Sequence, residues 1–171
     1  MKKIVLIAFF FIGISISQAQ ELKWYTDVKE AIKVSDKEKK PLLLFFTGSD
    51  WCGWCIRLQK EVLKTPEFSK WASESVVLVE LDYPRRTAQS DEIKQQNNEL
   101  QQVFGIQGFP TVFFANAKVN NEGKVNFTGL GSTGYVAGGP AAWIAVADPF
   151  VKAAKVTQEP KTTTKSKAKK A

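Results

Sequence analysis

The order of apolar runs in this chain predicts an α/β domain, a three-layer α/β/α sandwich around a mixed central sheet. Two short apolar stretches, 42–46 without interruption and 76–81 broken only by Glu80, read as buried strands. Amphipathic helical stretches lie before, between and after them, the order expected of a parallel strand–helix–strand unit. Two further runs, 111–115 and 124–128, flank the polar turn Asn120-Asn121-Glu122-Gly123 and read as an antiparallel hairpin.

Taken in order, 21–35 carries Trp24, Val28, Ala31 and Ile32 at helical spacing, with Thr26 or Asp27 placed to cap. Lys37 to Lys40 ends that helix in a charged turn, and Pro41 opens the first buried strand, bounded by Thr47-Gly48-Ser49. From Cys52 to Lys64 the residues Leu58, Val62 and Leu63 share one helical face until Thr65-Pro66 interrupts it, and a short helix follows over 67–73. After the second buried strand, 83–90 is polar and reads as a loop containing Pro84, Arg85 and Arg86. The stretch 91–104 places Ile93, Leu100, Val103 and Phe104 on one face with acids in its first turn, where the helix dipole favours them, and Gly105 stops it. The last helix, 140–155, turns Trp143, Ile144, Ala147, Phe150 and Val151 inward and is expected to kink at Pro149. No internal repeat is visible.

The ends differ from this middle. Met1-Lys2-Lys3, the apolar run Ile4 to Ile16 and Ser17-Gln18-Ala19 together have the order of a secretory signal peptide, 1–19, cleaved after Ala19. The apolar run is shorter than the ~20 residues that cross a bilayer. The domain is expected over 20–157, and 158–171, which contains five lysines and no large apolar residue, is expected to be a disordered tail. These ends hold nearly the whole charge excess: of 24 basic residues seven lie there, leaving 17 against 16 acids in between. A nucleic-acid-binding domain concentrates its bases on a folded face, so no nucleic acid is expected as a partner.

Composition narrows the chemistry. With no His, the chain has no imidazole general base, no Ser/His or Cys/His nucleophile pair and no His-ligated zinc. Two Cys cannot build a disulfide framework or a four-thiolate metal site within one chain. Both belong to Trp51-Cys52-Gly53-Trp54-Cys55, where the first buried strand hands over to a helix.

Thiols with two residues between them on a first helical turn can close an intramolecular disulfide, and the helix N-terminus stabilises a thiolate on the first. Cys52 is therefore the candidate nucleophile and Cys55, one turn deeper, the candidate resolving thiol. Exchange begins when Cys52 attacks a substrate disulfide; Cys55 then attacks Cys52 and releases reduced substrate. Other readings of the pair are weaker. A structural disulfide closing so short a loop would contribute only about 2 kcal/mol. A metal site would need ligands from a second chain, and a covalent haem site would need His where Ile56 stands.

The buried strand, the WCGWC turn and Gly108-Phe109-Pro110-Thr111 about fifty residues later resemble the thioredoxin superfamily, over about 24–150, nearly the whole expected domain. That resemblance implies a thioredoxin-like fold in which Pro110 follows a cis peptide bond from Phe109 and faces the cysteines, with the neighbouring backbone pairing to substrate as an added strand. Two departures stand out. Gly53-Trp54 lies between the cysteines where thioredoxin has Gly-Pro, and Phe45 stands where thioredoxin has a buried Asp. Glu80 and Asp50 are the nearest substitute bases, each first read as a solvated charge; Asp50 opposes a Cys52 thiolate and Arg57 is placed to offset it.

Trp54 is expected to contact substrate through its flat apolar surface, Gly53 lies between the thiols, and Trp51 either contacts substrate or packs the turn. Arg85 and Arg86 read as loop solubility, in a loop that can also shape partner choice. The expected activity is that of an exported thiol:disulfide oxidoreductase, periplasmic or secreted, acting on protein disulfides as reductase or isomerase. A dithiol oxidant and a non-catalytic client-binding module are the alternatives. No bound cofactor is expected, the partners being protein thiols or disulfides and an upstream redox protein, and monomer is the default state.

Overall fold

A computed structural model describes residues 22–158. The expected signal peptide, and the expected tail beyond Gln158, lie outside the described residues. The sheet has five strands in the order β1-β3-β2-β4-β5, formed by β1 (Trp24–Tyr25), β2 (Leu42–Thr47), β3 (Val77–Asp82), β4 (Thr111–Val119) and β5 (Val125–Thr133). β1 and β2 run parallel to β3, whereas β4 runs antiparallel to both β2 and β5. Helices cover both faces, so the three-layer arrangement and the mixed sheet are those the sequence predicts.

Every residue of β2 is buried. Leu43 and Phe45 pack on one face with Leu58, Phe68 and Trp143, while Leu42, Leu44 and Phe46 pack on the other with Ile32 and Leu100. A strand sandwiched in this way needs no polar alternation, and each such side chain contributes roughly 2 kcal/mol by leaving water. The central strand is thus a rigid base for the turn that leaves its C-terminal end.

Two expected boundaries are corrected. Trp24 lies in β1, not in the first helix; it pairs with Leu78 and packs its ring against Phe45, with centroids 6.0 Å apart. The helix α1 (Val28–Glu38) begins after Asp27, whose carboxylate accepts the Lys29 N–H at 2.7 Å, so the cap decides the start although Trp24 continues the apolar spacing. The helix after the cysteines changes geometry: α2 (Gly53–Leu58) passes into a π-helical turn, Gln59–Leu63.

The remaining helices, α3 (Pro66–Ser75), α4 (Asp91–Val103) and α5 (Gly139–Gln158), fall close to their expected positions. α5 continues through Pro149, which removes one backbone donor without ending the helix, and reaches Gln158, the first residue of the expected tail. Both hairpin strands are longer than their apolar cores suggest. A bulge between Phe114 and Ala115 shifts their register opposite Gly131, whose φ of +144° and closeness to Phe150, 2.3 Å from a built Cβ, exclude any side chain there.

Candidate active site

β2 ends at Thr47 and the chain turns through Gly48, Ser49, Asp50 and Trp51, with the Cys52 N–H donating to the Gly48 carbonyl at 2.9 Å. Gly48 is required here because a Cβ would lie 2.4 Å from Cε2 of Trp51. Cys52 is the extended N-cap of α2, and its Sγ accepts the Cys55 N–H at 3.2 Å. The two cysteines form a disulfide with Cα atoms 5.2 Å apart. Cys52 keeps 7% of its surface exposed and Cys55 none. A thiolate at Cys52 would receive the same backbone donor and the positive end of the helix.

The second half of the site comes from the segment before β4. The Phe109–Pro110 peptide is cis, and the pairing of Phe46 with Thr111 places it at the same end of the sheet as the cysteine turn. Phe109 lies between two rings, stacked on Tyr83 at 4.9 Å and edge-on to Trp51 at 6.0 Å. Trp51 is half-buried and its Nε1 donates to the Tyr83 carbonyl at 2.8 Å, so it packs the turn as well as flanking Cys52.

A hydrogen-bonded chain beneath these rings was not foreseen from the sequence. The Asp82 carboxylate accepts from the backbone N–H and hydroxyl of Ser49, at 2.8 and 2.6 Å. The Asp82 carbonyl accepts from Nδ2 of buried Asn97 at 2.8 Å, and the Asn97 carbonyl accepts from the Tyr83 hydroxyl at 2.6 Å. Burial pushes the Tyr83 hydroxyl above the usual tyrosine range, so it stays a donor. The one available signal was the Ser49-to-Asp82 pairing of a strand end with a polar turn, which becomes specific only once β2 and β3 are known to be neighbours.

Asp50 has a different role from the one expected. Its carboxylate accepts the N–H groups of Arg85, Arg86 and Thr87, at 3.0, 2.7 and 3.2 Å. Those donors, Arg85 first, hold it below the usual carboxylate range. Asp50 therefore anchors the loop after β3 to the cysteine turn. The Arg85 guanidinium lies 3.8 Å over the Trp51 ring, a contact beyond loop solubility.

Arg57 likewise does not offset Asp50: its Nε donates to Glu61 at 2.8 Å. Tyr135 donates its hydroxyl to the other Glu61 oxygen, and these two bonds, Tyr135's first, hold Glu61 below its usual range. The Arg57 guanidinium covers both Trp54 and Tyr135, 5.3 and 5.0 Å from their ring centres. Trp54 remains 56% exposed, and Gly53 beside it is open. Glu80 is half-buried rather than solvated. It pairs with Phe45 across the strands and lines a cavity of about 230 Å³ with Trp24, Gln59, Leu63 and Lys64. Burial, and then the nearby Asp82 charge, push its carboxyl upward.

Among the described residues no group of three or more Cys, Asp or Glu side chains is placed to hold a metal ion, and no helix is long and apolar enough to cross a membrane.

Comparison with known proteins places this geometry. The pattern of the thioredoxin-like domain matches residues 28–130. The disulfide bond reductase DsbH of Chlamydia pneumoniae is 39% identical over 118 residues, which cover 69% of this chain and 70% of that protein. A solved structure of the DsbH oxidoreductase superposes with a TM-score of 0.65 at 37% identity, covering 77% of this chain and 85% of that one. A thioredoxin from Thermus thermophilus, 18% identical, shares the fold with a TM-score of 0.57, covering 81% of this chain and 93% of its own. A Cys-Gly-Trp-Cys disulfide at the head of α2, on a five-stranded mixed sheet of this topology, thus belongs to a member of the thioredoxin-like family, a thiol-disulfide oxidoreductase.

Proposed function

We propose that the protein reduces disulfides in exported proteins through the Cys52/Cys55 pair, in the periplasm or outside the cell. The carrying observation is the asymmetry of the pair: Cys52 caps the helix and reaches the surface, whereas Cys55 is sealed. The similarity to a disulfide bond reductase supports the direction, and the N-terminal pattern of residues 1–19 supports export.

In the reduced protein the Cys52 thiolate attacks one sulfur of a client disulfide, forming a mixed disulfide and releasing the other client sulfur as a thiolate. Cys55 loses its proton and attacks Cys52 Sγ. This releases the second client thiolate and leaves the Cys52–Cys55 disulfide of the present structure. Two electrons have passed to the client, and an upstream dithiol must return the pair to its reduced state. Trp51, Gly53, Trp54, Phe109 and Pro110 form the client-facing surround, with the backbone beside cis-Pro110 offered as a strand partner.

The test is the reduction potential of the pair, measured by equilibration against defined glutathione ratios. A value near about −270 mV supports a reductase, while one near about −120 mV makes the protein an oxidant. A C52S variant that keeps client affinity while wild type shows no reversible cycling would leave a binding module instead.

A further inference from the structure

The two walls beside Cys52 differ in charge state. On the Trp54 side the cation in contact among the described residues, Arg57, is paired with Glu61, and Tyr135 completes that network. The wall therefore presents a held aromatic surface, with Trp54 56% exposed and its ring 5.2 Å from that of Tyr135. On the Trp51 side the cations are not held in contact ion pairs, and Arg86 acts on the Asp50 carboxylate only as a minor, longer-range charge. Among the described residues neither Arg85 nor Arg86 forms an ion pair, and both are exposed.

Asp50, the acid nearest them in the fold, is turned to backbone: its oxygens accept the N–H groups of Arg85, Arg86 and Thr87. Asp82 is similarly taken up by Ser49. Both carboxylates are engaged by backbone or hydroxyl donors, while the Arg85 and Arg86 residues stay exposed. Arg85 lies over Trp51, whose ring meets Phe109 beside cis-Pro110, so this positive surface is continuous with the site. A loop that existed only for solubility would not need three hydrogen bonds to the cysteine turn.

We propose that this surface selects client segments that are acidic on one flank of the target cysteine and apolar on the other, the acid facing Arg85 and Arg86 and the apolar residue lying on Trp54. The inference rests on the reading of Cys52/Cys55 as the exchange centre and names the client chemistry that centre accepts. The charges sit at the rim of the site, so they act on encounter and discrimination and weaken with salt. Exposed pairs are individually weak, and two together give about a fivefold preference.

The experiment uses two synthetic peptides with an internal disulfide, identical except for Asp or Lys on one flank of the attacked cysteine. Their reduction by the wild-type protein is compared with that of hydroxyethyl disulfide, which carries no charge. Binding of the same peptides with Ser in place of Cys is measured in parallel. The acidic peptide is expected to react and bind about fivefold better at low salt, with the ratio falling toward one at 0.5 M salt and inverting in an R85E/R86E variant. A wild-type ratio near one, or a ratio unchanged by the variant, overturns the proposal. Failure to reduce hydroxyethyl disulfide counts against the exchange reading alone, because the Ser peptides still report whether the rim discriminates by charge.

Discussion

Phe109 stacks on Tyr83 at a ring separation of 4.9 Å, joining the residue before cis-Pro110 to the loop after β3. Because the Tyr83 hydroxyl is held by the Asn97 carbonyl, the stack is fixed from both ends. Tyr83→Phe keeps the ring and loses the hydrogen bond, which is expected to lower unfolding free energy by about 1 kcal/mol. Tyr83→Ala loses both and is expected to cost about 3 kcal/mol. Urea unfolding of the two variants checks the order; equal losses would mean that the stack contributes nothing.

Gly48 and Gly53 are expected to respond oppositely to the same substitution. A Cβ on Gly48 meets the Trp51 indole at 2.4 Å, whereas one on Gly53 meets nothing within 4 Å. Gly48→Ala must displace the indole from the cysteine turn, with an expected loss of about 2 kcal/mol. Gly53→Ala, at the start of α2, should stay within about 0.5 kcal/mol of wild type. Thermal unfolding with tryptophan fluorescence distinguishes them, and a Gly48→Ala protein with unchanged emission and midpoint would refute the close contact.

Asp50→Ala removes the acceptor of three loop N–H groups. Amide hydrogen exchange at Arg85, Arg86 and Thr87 should rise by roughly tenfold or more, while the amides of β2 keep their protection. Exchange that stays slow at all three positions would show that the loop is held by other contacts.

Glu80 sets a pH dependence of stability. Burial, then Asp82, raise its carboxyl above the ordinary value of 4.5, against a smaller opposing effect of Lys64. With the folded value above the unfolded one, its protonated form favours folding at low pH, and that contribution is lost as pH rises through the raised value. Glu80→Gln cannot ionise, so the variant should gain stability relative to wild type as pH rises from below the ordinary carboxyl value of 4.5 toward neutrality. Denaturant midpoints across that range give the difference directly, and a constant gap would argue that Glu80 is fully solvated.

The amino-acid sequence by itself determined the layers and the cysteine pair that forms the disulfide. β2 was readable because a strand buried on both faces must be continuously apolar, and the WCGWC turn because both cysteines lie where that strand meets a helix. The boundary of α1 was less legible, since Trp24 has the right spacing for a helix yet is recruited by β3. Spacing along a chain reports which residues want to be buried, not which neighbour buries them.

Only the tertiary structure decided what surrounds the cysteines. Asp50 lies two residues from Cys52 in sequence, which suggested an opposing charge, but its partners are 35 to 37 residues away. Arg57 stood ready to neutralise Asp50, but it pairs with Glu61 one helical turn on, and the segment before α5 brings Tyr135 into that network around Trp54. The Tyr83–Phe109–Trp51 contacts join three segments that sequence distance separates. A carboxylate or a guanidinium takes the partner that geometry supplies at hydrogen-bond distance, and that geometry exists only after the sheet has ordered its strands.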